Sequence, residues 1–305
     1  MRIRQKENKF LYKNISDIKI FSVNCSLLIV LCSLLIVSCS TTKKDPGYIE
    51  ILRTQAEKWL ESGNKEAGLG KFESSLNLLT ETKRNSILAD DHSLIVRVCL
   101  SRGNVLYSLG RYNEAFAEWE QAAAEAVKLE DAELLSVSRI YLARGNLISE
   151  RMTAGSVLDE VNRESANIKK NRLYIAFSWQ VKGLAQRALG SYNEAEDSFR
   201  RSLEIHQKDS YFESASYDWY AIASIRSLSG NTQGAIQALE TSIGFDRRVE
   251  NSWGLAASYR TLGDVYKKAG NQKDALESYK RARAIYAAMG HENEVAETDN
   301  RIKGL

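Results

Sequence analysis

Proline is nearly missing from this chain: 305 residues carry one, Pro46, where average usage of about 5% would supply roughly fifteen. Long helices exclude proline, because an interior one costs about 3 kcal/mol. Cysteine is sparse too, and four in a chain of this length make no disulfide framework. Charge of one sign is also lacking. The 42 Lys and Arg stand against 39 Asp and Glu, a balance that gives no electrostatic case for a nucleic-acid partner. A single long apolar stretch excludes a polytopic membrane protein, and a hydrophobic fraction of 44% excludes wholesale disorder. The length fits two domains or one elongated repeat array.

The apolar stretch is at the amino terminus. Arg2, Arg4, Lys6, Lys9, Lys13 and Lys19 outweigh Glu7 and Asp17, an apolar run follows from Phe21 to Val37, and Ser38-Cys39-Ser40 ends it. That order reads as an export signal over residues 1–38. Ile36-Val37-Ser38-Cys39 resembles the bacterial lipobox, which implies cleavage after Ser38, diacylation of the Cys39 thiol and acylation of the new amino group. Cys25 follows Asn24 with little apolar core before it, and Cys32 follows bulky Leu31, so both fit worse. The rival reading is an uncleaved membrane-spanning anchor over Ile20–Val37, close to the ~20 apolar residues a helix needs.

Either reading places the remainder outside the cytoplasm on a bacterial membrane. Ser40-Thr41-Thr42 stand after Cys39 in place of acidic residues. By the sorting rule of many diderm bacteria, this favours the outer membrane over the inner. Residues 39–47 then form the lipidated cysteine and a short flexible tether. Without residues 1–38 the charge count becomes 36 basic against 37 acidic (42 less 6, 39 less 2), so the apparent basicity belongs to the export signal.

The body repeats itself. Leu109-Gly-Arg-Tyr-Asn-Glu-Ala115, Leu189-Gly-Ser-Tyr-Asn-Glu-Ala195, Ser229-Gly-Asn-Thr-Gln-Gly-Ala235 and Ala269-Gly-Asn-Gln-Lys-Asp-Ala275 align, with glycines at 110, 190, 230 and 270. The spacing requires a unit near 150, and Arg144-Gly145-Asn146 answers Arg102-Gly103-Asn104 there, with the turn glycine lost. Gly63-Asn-Lys-Glu-Ala67 marks a divergent first unit over residues 48–95. About six units follow one another with a period of 40.

Each unit carries a bulky residue and then a small one four positions on, as in Trp179 and Gly183 or Tyr259 and Gly263. A glycine seven residues later fits a left-handed helix C-cap. Asn113 and Asn193 stand where an N-cap former is expected. The second helix presents Ala115, Ala195, Ala235 or Ala275, and four residues on, across the same face, Trp119, Phe199, Leu239 or Tyr279. Such a hairpin cannot bury its apolar surface alone, so the units must stack.

This pattern resembles the tetratricopeptide repeat (TPR) over roughly residues 48–290. The resemblance implies an all-α, right-handed solenoid of helix-turn-helix units, with the repeat array proper over 96–290 and a polar capping helix within 291–305. Two features depart from the family. The period exceeds the usual 34 residues by six, which lengthens the helices or the links, and the proline after the second helix is missing.

Chemistry of the catalytic kind is not legible. His92, His206 and His291 stand far apart without metal-ligand spacing, and Gly68-Leu-Gly-Lys71 lacks the spacer and the Ser or Thr of a phosphate loop. No Ser/His/Asp arrangement has local support, and Cys99 occupies a position where other units place an aromatic, as a buried thiol would. The expectation is no enzyme, no cofactor, no metal and no nucleic acid, but a protein or peptide partner.

In the family the first helix of each pair lines the concave surface. Carried over residue by residue, that implies inward-facing Arg97, Asn104, Tyr107, Arg139, Asn146, Gln180, Arg187, Tyr217, Tyr220, Arg260, Asp264 and Lys267. Asn104 and Asn146 follow the small residue of their helices, where some family members bond a ligand's backbone or terminal carboxylate; the alternative is ordinary polar helix surface. Val181 and Leu184 stand where the family's two-carboxylate clamp has polar groups, so the clamp is not matched. Tyr217 and Tyr220 with Arg187 make either an aromatic-cationic anchor or packing between repeats. The function expected is a lipid-anchored, non-catalytic scaffold, with a ligand- or peptide-sensing accessory subunit as the alternative.

Overall fold

The computed structural model describes residues 47–305, so the expected export signal over 1–38, Cys39 and most of the expected tether lie outside the described residues. Tyr48–Leu305 form one compact unit of thirteen helices in succession, with no strand among the described residues. They are α1 (Tyr48–Gly68), α2 (Phe72–Leu88), α3 (His92–Ser108), α4 (Tyr112–Lys128), α5 (Ala132–Ile148), α6 (Ala154–Ser165), α7 (Arg172–Ala188), α8 (Tyr192–Lys208), α9 (Phe212–Leu228), α10 (Thr232–Arg248), α11 (Ser252–Lys268), α12 (Gln272–Ala288) and α13 (Glu292–Lys303). Consecutive helices pair as six hairpins, α1/α2 through α11/α12, and α13 closes the end. The architecture is an all-α solenoid.

Its cadence is twenty residues. Apart from α1, α6 and α13, every helix has 17 residues. The links between these are short, as in Leu109–Arg111. The six residues beyond the usual period therefore lie in the helices. Every such link closes in the same way. Gly110 N–H donates to the Tyr107 carbonyl at 3.0 Å and Arg111 N–H to the Leu106 carbonyl at 2.9 Å, the two bonds of a Schellman cap. The turning residue needs a left-handed φ, +74° at Gly110. Asp90, Glu130, Glu150, Ser210 and Glu250 adopt the same conformation without being glycine. That is why the glycine spacing in the sequence reveals the joints within hairpins and hides most of those between them.

The capping expectation is corrected. Because the Schellman joint places residue 111 or 191 at the N-cap, α4 starts from Arg111 and α8 from Ser191, neither with a side-chain cap bond. Asn113 and Asn193 lie inside the helices. The capping side chains are Asp91, Asp131, Thr153, Asn171, Asn231, Asn251 and Asn271.

Packing within a hairpin sets a small residue of the first helix against a large one of the second, sixteen positions on. A methyl built on Gly183 would lie 2.7 Å from the Phe199 ring, one on Gly263 2.5 Å from Tyr279, and one on Gly103 would overlap the Trp119 indole. Trp119, Phe199, Leu239 and Tyr279 are fully buried. Trp119 also abuts Gly145 of the next hairpin, which ties two units together. The third unit is the irregular one: α6 has only 12 residues. The segment after it is held by the Glu133 carboxylate, which accepts from the backbone N–H groups of Lys170 at 3.0 Å and Asn171 at 2.8 Å.

First helices of successive units touch one another, α1 with α3, α3 with α5, α5 with α7 and α9 with α11, while no contact of that extent joins the second helices. The first helices therefore line the inner side of the curve. The curve completes a turn. α1 reaches α11, Phe72 packs edge-on to Trp253 with ring centroids 4.9 Å apart, and Trp253 meets Tyr286 and His291 at 5.6 and 5.0 Å. The apolar core forms two clusters that meet within α7, and Trp253 packs against both.

Candidate functional site

The inner wall is made of α1, α3, α5, α7, α9, α11 and α13, and most of the sequence-derived candidates on it already have partners one unit away. Arg97 forms a double bond pair with Glu57, at 2.6 and 2.9 Å. Asn104 accepts from the Arg144 guanidinium at 2.7 Å. Gln180 donates to Asp218 at 2.8 Å and Arg187 to Ser224 at 3.1 Å. Tyr220 accepts from Thr261 at 3.2 Å. Arg260 pairs with Glu297 at 2.7 Å, and Asp264 accepts from Arg301 at 3.1 Å and from the Tyr279 hydroxyl at 2.7 Å. Apart from Tyr279, the partners stand 37 to 41 residues apart. A twenty-residue cadence puts equivalent positions of neighbouring units side by side, so polar groups there bond across the unit boundary.

The remaining candidates divide. Arg139 pairs within its own unit with the buried Glu164 at 3.3 Å. Asn146 approaches the Met152 sulfur at 3.4 Å, so the two asparagines singled out in the sequence do different work. Tyr107 packs between Tyr112 and Trp119, with centroids 4.8 and 5.7 Å away. Lys267 is exposed at the end of α11. Tyr217 keeps 42% of its surface open and leans on Phe199 at 6.4 Å.

The structure adds a residue that the sequence used only as a repeat marker. Arg144 projects from α5 into an aromatic surround: its guanidinium carbon lies 5.3 Å from the Tyr141 ring centre, 5.4 Å from Phe177 and 5.8 Å from Trp119. Tyr141 and Phe177 stack at 4.1 Å. The Nε of Arg144 is buried without a hydrogen-bond partner among the described residues. Arg144 and Arg187 both lie within electrostatic reach of Tyr217. A cation among aromatic faces is worth up to about 2 kcal/mol when desolvated. The signal in the sequence was an arginine flanked by aromatics at 141 and 177, visible only once the units are laid side by side.

Elsewhere the titratable groups are structural. Burial pushes the Cys99 thiol up to about 12, which leaves it protonated and unreactive. Ser202, His206 and Asp218 do converge, which sequence spacing did not reveal. Asp218 accepts from His206 Nδ1 at 2.7 Å and from Ser202 at 3.0 Å. Ser202 and the carboxylate both face the same ring nitrogen, whereas a catalytic triad needs the serine on one nitrogen and the acid on the other. All three side chains are buried, so the arrangement is a core hydrogen-bond network. Burial works against the Glu118 carboxylate, yet Lys83 and Arg102 hold it below the usual range, at 2.7 and 3.0 Å.

One open cleft lies on another face. It measures ≈ 320 Å³ between α10, α11 and α12. Arg247 and Arg281 both donate to the Tyr259 hydroxyl there, Arg281 at 3.4 Å. Arg281 also pairs with Glu277 at 3.2 Å.

Models of the tetratricopeptide repeat match residues 178–209 and 214–288. No curated protein matches the chain in sequence. Among solved structures, a Rap protein complexed with competence and sporulation factor aligns with a TM-score of 0.56 at 15% identity, over 82% of this chain and 74% of that one. The Rap conjugation gene regulator of plasmid pLS20, in complex with a Phr peptide, aligns with a TM-score of 0.55 at 14% identity, over 83% and 78%. BtubC from P. vanneervenii aligns with a TM-score of 0.51 at 17% identity, over 74% and 92%. At these identities the likeness is one of fold.

Proposed function

We propose that this chain, a tetratricopeptide-repeat protein whose fold is that of an interaction scaffold, is lipid-anchored through Cys39 and holds a protein or peptide partner at the bacterial cell envelope without catalysing a reaction. The carrying observation is the inner-wall cluster of Arg144, Tyr141 and Phe177 beside the half-open Tyr217. Rigid aromatic and guanidinium groups of this kind dominate binding energy at interfaces. Most other polar groups on that wall are already paired across units, whereas the Arg144 Nε is one of three buried side-chain polar atoms without a partner among the described residues, with Trp219 Nε1 and the Tyr286 hydroxyl.

Lipidation rests on the residues Ile36–Cys39, and the outer membrane is favoured over the inner by Ser40-Thr41-Thr42. The test is crosslinking and affinity capture from envelopes using the intact lipoprotein, with Tyr217→Ala alongside. Loss of a specific partner in Tyr217→Ala, at unchanged melting temperature, supports the reading; capture of the same proteins by both forms overturns it. Cys39→Ala is expected to abolish incorporation of labelled fatty acid and processing to the shorter form, and unchanged labelling removes the lipid anchor.

A second reading is a peptide-sensing accessory subunit. It is favoured by the closed turn of the solenoid and by the two similar structures, one in complex with competence and sporulation factor and one with a Phr peptide. It expects a short peptide to raise the melting temperature of the body, and a screen of envelope-derived peptides without any shift counts against it.

A further inference from the structure

We propose that the first turn of α1, Tyr48–Ile51, is a membrane-contact surface that seats the solenoid on the headgroup layer of the bilayer. The proposal rests on the reading of Cys39 as the lipid-bearing residue. The twenty-residue cadence that starts helices at Phe72, His92 and Tyr112 puts the start of the first helix at Leu52. Instead α1 begins at Tyr48 and runs for 21 residues. One additional turn, about 6 Å long, thus extends α1 beyond the position at which the other helices begin.

Three of the four residues in that turn are large, apolar and open: Tyr48 at 69% exposure, Ile49 at 44% and Ile51 at 48%. Burial resumes at Leu52, with Ala56 and Leu60 following it into the core. Terminal elements of a solenoid present polar outer faces, because no neighbour covers them. The opposite end obeys that rule, since α13 exposes Glu292, Asn293, Glu297, Asn300 and Lys303. The first turn of α1 breaks it, while the remaining open positions of that helix, such as Arg53, Glu57 and Lys58, are polar; it is this turn that leads to the tether.

Tether length and charge select the occupant. Residues 40–47 span at most about 30 Å, at 3.3–3.6 Å per residue, so a lipid on Cys39 keeps Tyr48 permanently beside the bilayer at high effective concentration. Tyrosine prefers the boundary between apolar and wet regions, and isoleucine the apolar side of it. Lys43 and Lys44 lie five and four residues before Tyr48, with Asp45 between, and leave a net positive charge that suits anionic headgroups. A protein partner or a second copy fits poorly: three side chains with no groove fall well short of the roughly 1,000 Å² that a specific interface needs.

The test uses residues 40–305, which contain the whole compact unit Tyr48–Leu305 and no acylation site, so it stands apart from the lipid reading that Cys39→Ala examines. The protein is sedimented with vesicles of phosphatidylethanolamine and phosphatidylglycerol at millimolar lipid. The wild-type body is expected to partition measurably, and the triple variant Tyr48→Ser, Ile49→Ser, Ile51→Ser to lose at least tenfold. Lys43→Ala with Lys44→Ala should lose binding to the anionic vesicles and change little on neutral phosphatidylcholine. The substituted side chains are exposed, so circular dichroism and melting temperature should stay unchanged. Equal partitioning of wild type and triple variant overturns the proposal, as does no partitioning by the wild type. A dimer in light scattering that the triple variant abolishes also overturns it, in favour of self-association.

Discussion

The imidazole Nε2 of His291 donates to the backbone carbonyl of Gly70 at 2.7 Å, across 221 residues of sequence. The carbonyl can only accept, so Nε2 carries the proton. This bond joins the link of the first hairpin to the start of the capping helix, and Phe72 and Trp253 pack beside it. The solenoid is closed by side chains rather than merely curved.

Trp253→Ala should open that closure. Removing a large aromatic from packed surroundings costs about 3 kcal/mol. The indole bridges the first hairpin and the last, so the radius of gyration should also rise. Small-angle scattering checks this: a destabilised variant with an unchanged radius would mean that Trp253 serves only its own hairpin.

Three glycines should respond differently to alanine. Gly103→Ala must displace the buried Trp119 indole, and overpacking of this kind costs about 1–3 kcal/mol. Gly110→Ala meets open space but has to hold a φ of +74°, which costs about 1 kcal/mol. Gly244→Ala sits inside α10 with nothing near, so stability should rise by roughly 0.5–1 kcal/mol. Denaturant midpoints of the three variants give the order, and stabilisation by Gly103→Ala would contradict the packing described.

Asp246 should make stability fall as pH rises. Burial raises its carboxyl from 3.8 to about 6, against hydrogen bonds from its neighbours. A raised folded-state value means the folded protein holds the proton more tightly. Its stabilising contribution is therefore complete below about pH 4 and lost by about pH 6. Asp246→Asn is expected to remove that slope and to gain on the order of 1–3 kcal/mol over wild type at pH 7. Melting temperatures of both proteins between pH 4 and 7 test it; parallel curves would refute the assignment.

Ion pairs should differ by burial. Glu118→Ala leaves the largely buried Lys83 and Arg102 without their carboxylate, a change worth about 3 kcal/mol. Arg97→Ala breaks an exposed pair with Glu57, worth less than about 1 kcal/mol. Similar losses in the two variants would show that the Glu118 cluster is better solvated than its geometry indicates.

The hairpins, the small and bulky positions within each helix and the buried Cys99 were legible because each depends on residues at fixed local spacing, whereas the meeting of Gly183 with Phe199 across a hairpin was not. Glycines at 110, 190, 230 and 270 mark joints by a backbone requirement that the sequence displays directly. The joints at Asp90, Glu130, Ser210 and Glu250 meet the same requirement without glycine, so they leave no such mark. N-caps were misplaced at Asn113 and Asn193, since a small offset in the joint decides which position faces the free N–H groups. The inner wall was identified only in outline. Its candidates came from position within a unit, whereas their bonding is to the next unit. Closure was illegible for a stronger reason: it sums the small rotations of successive hairpins, and no local pattern encodes that sum.

Twenty-residue cadence and closure together act as a gauge of length. Identical joints would let an array grow or shrink by whole hairpins with no change to any single boundary. Here, however, Gly70 meets His291 only at this number of units. A hairpin inserted between α4 and α5, or removed there, would keep every local contact rule and still carry Trp253 past Phe72. The seam therefore constrains how such a gene can vary: duplication or deletion of a whole unit breaks the contacts of Gly70, Phe72, Trp253 and His291 even where every joint is kept.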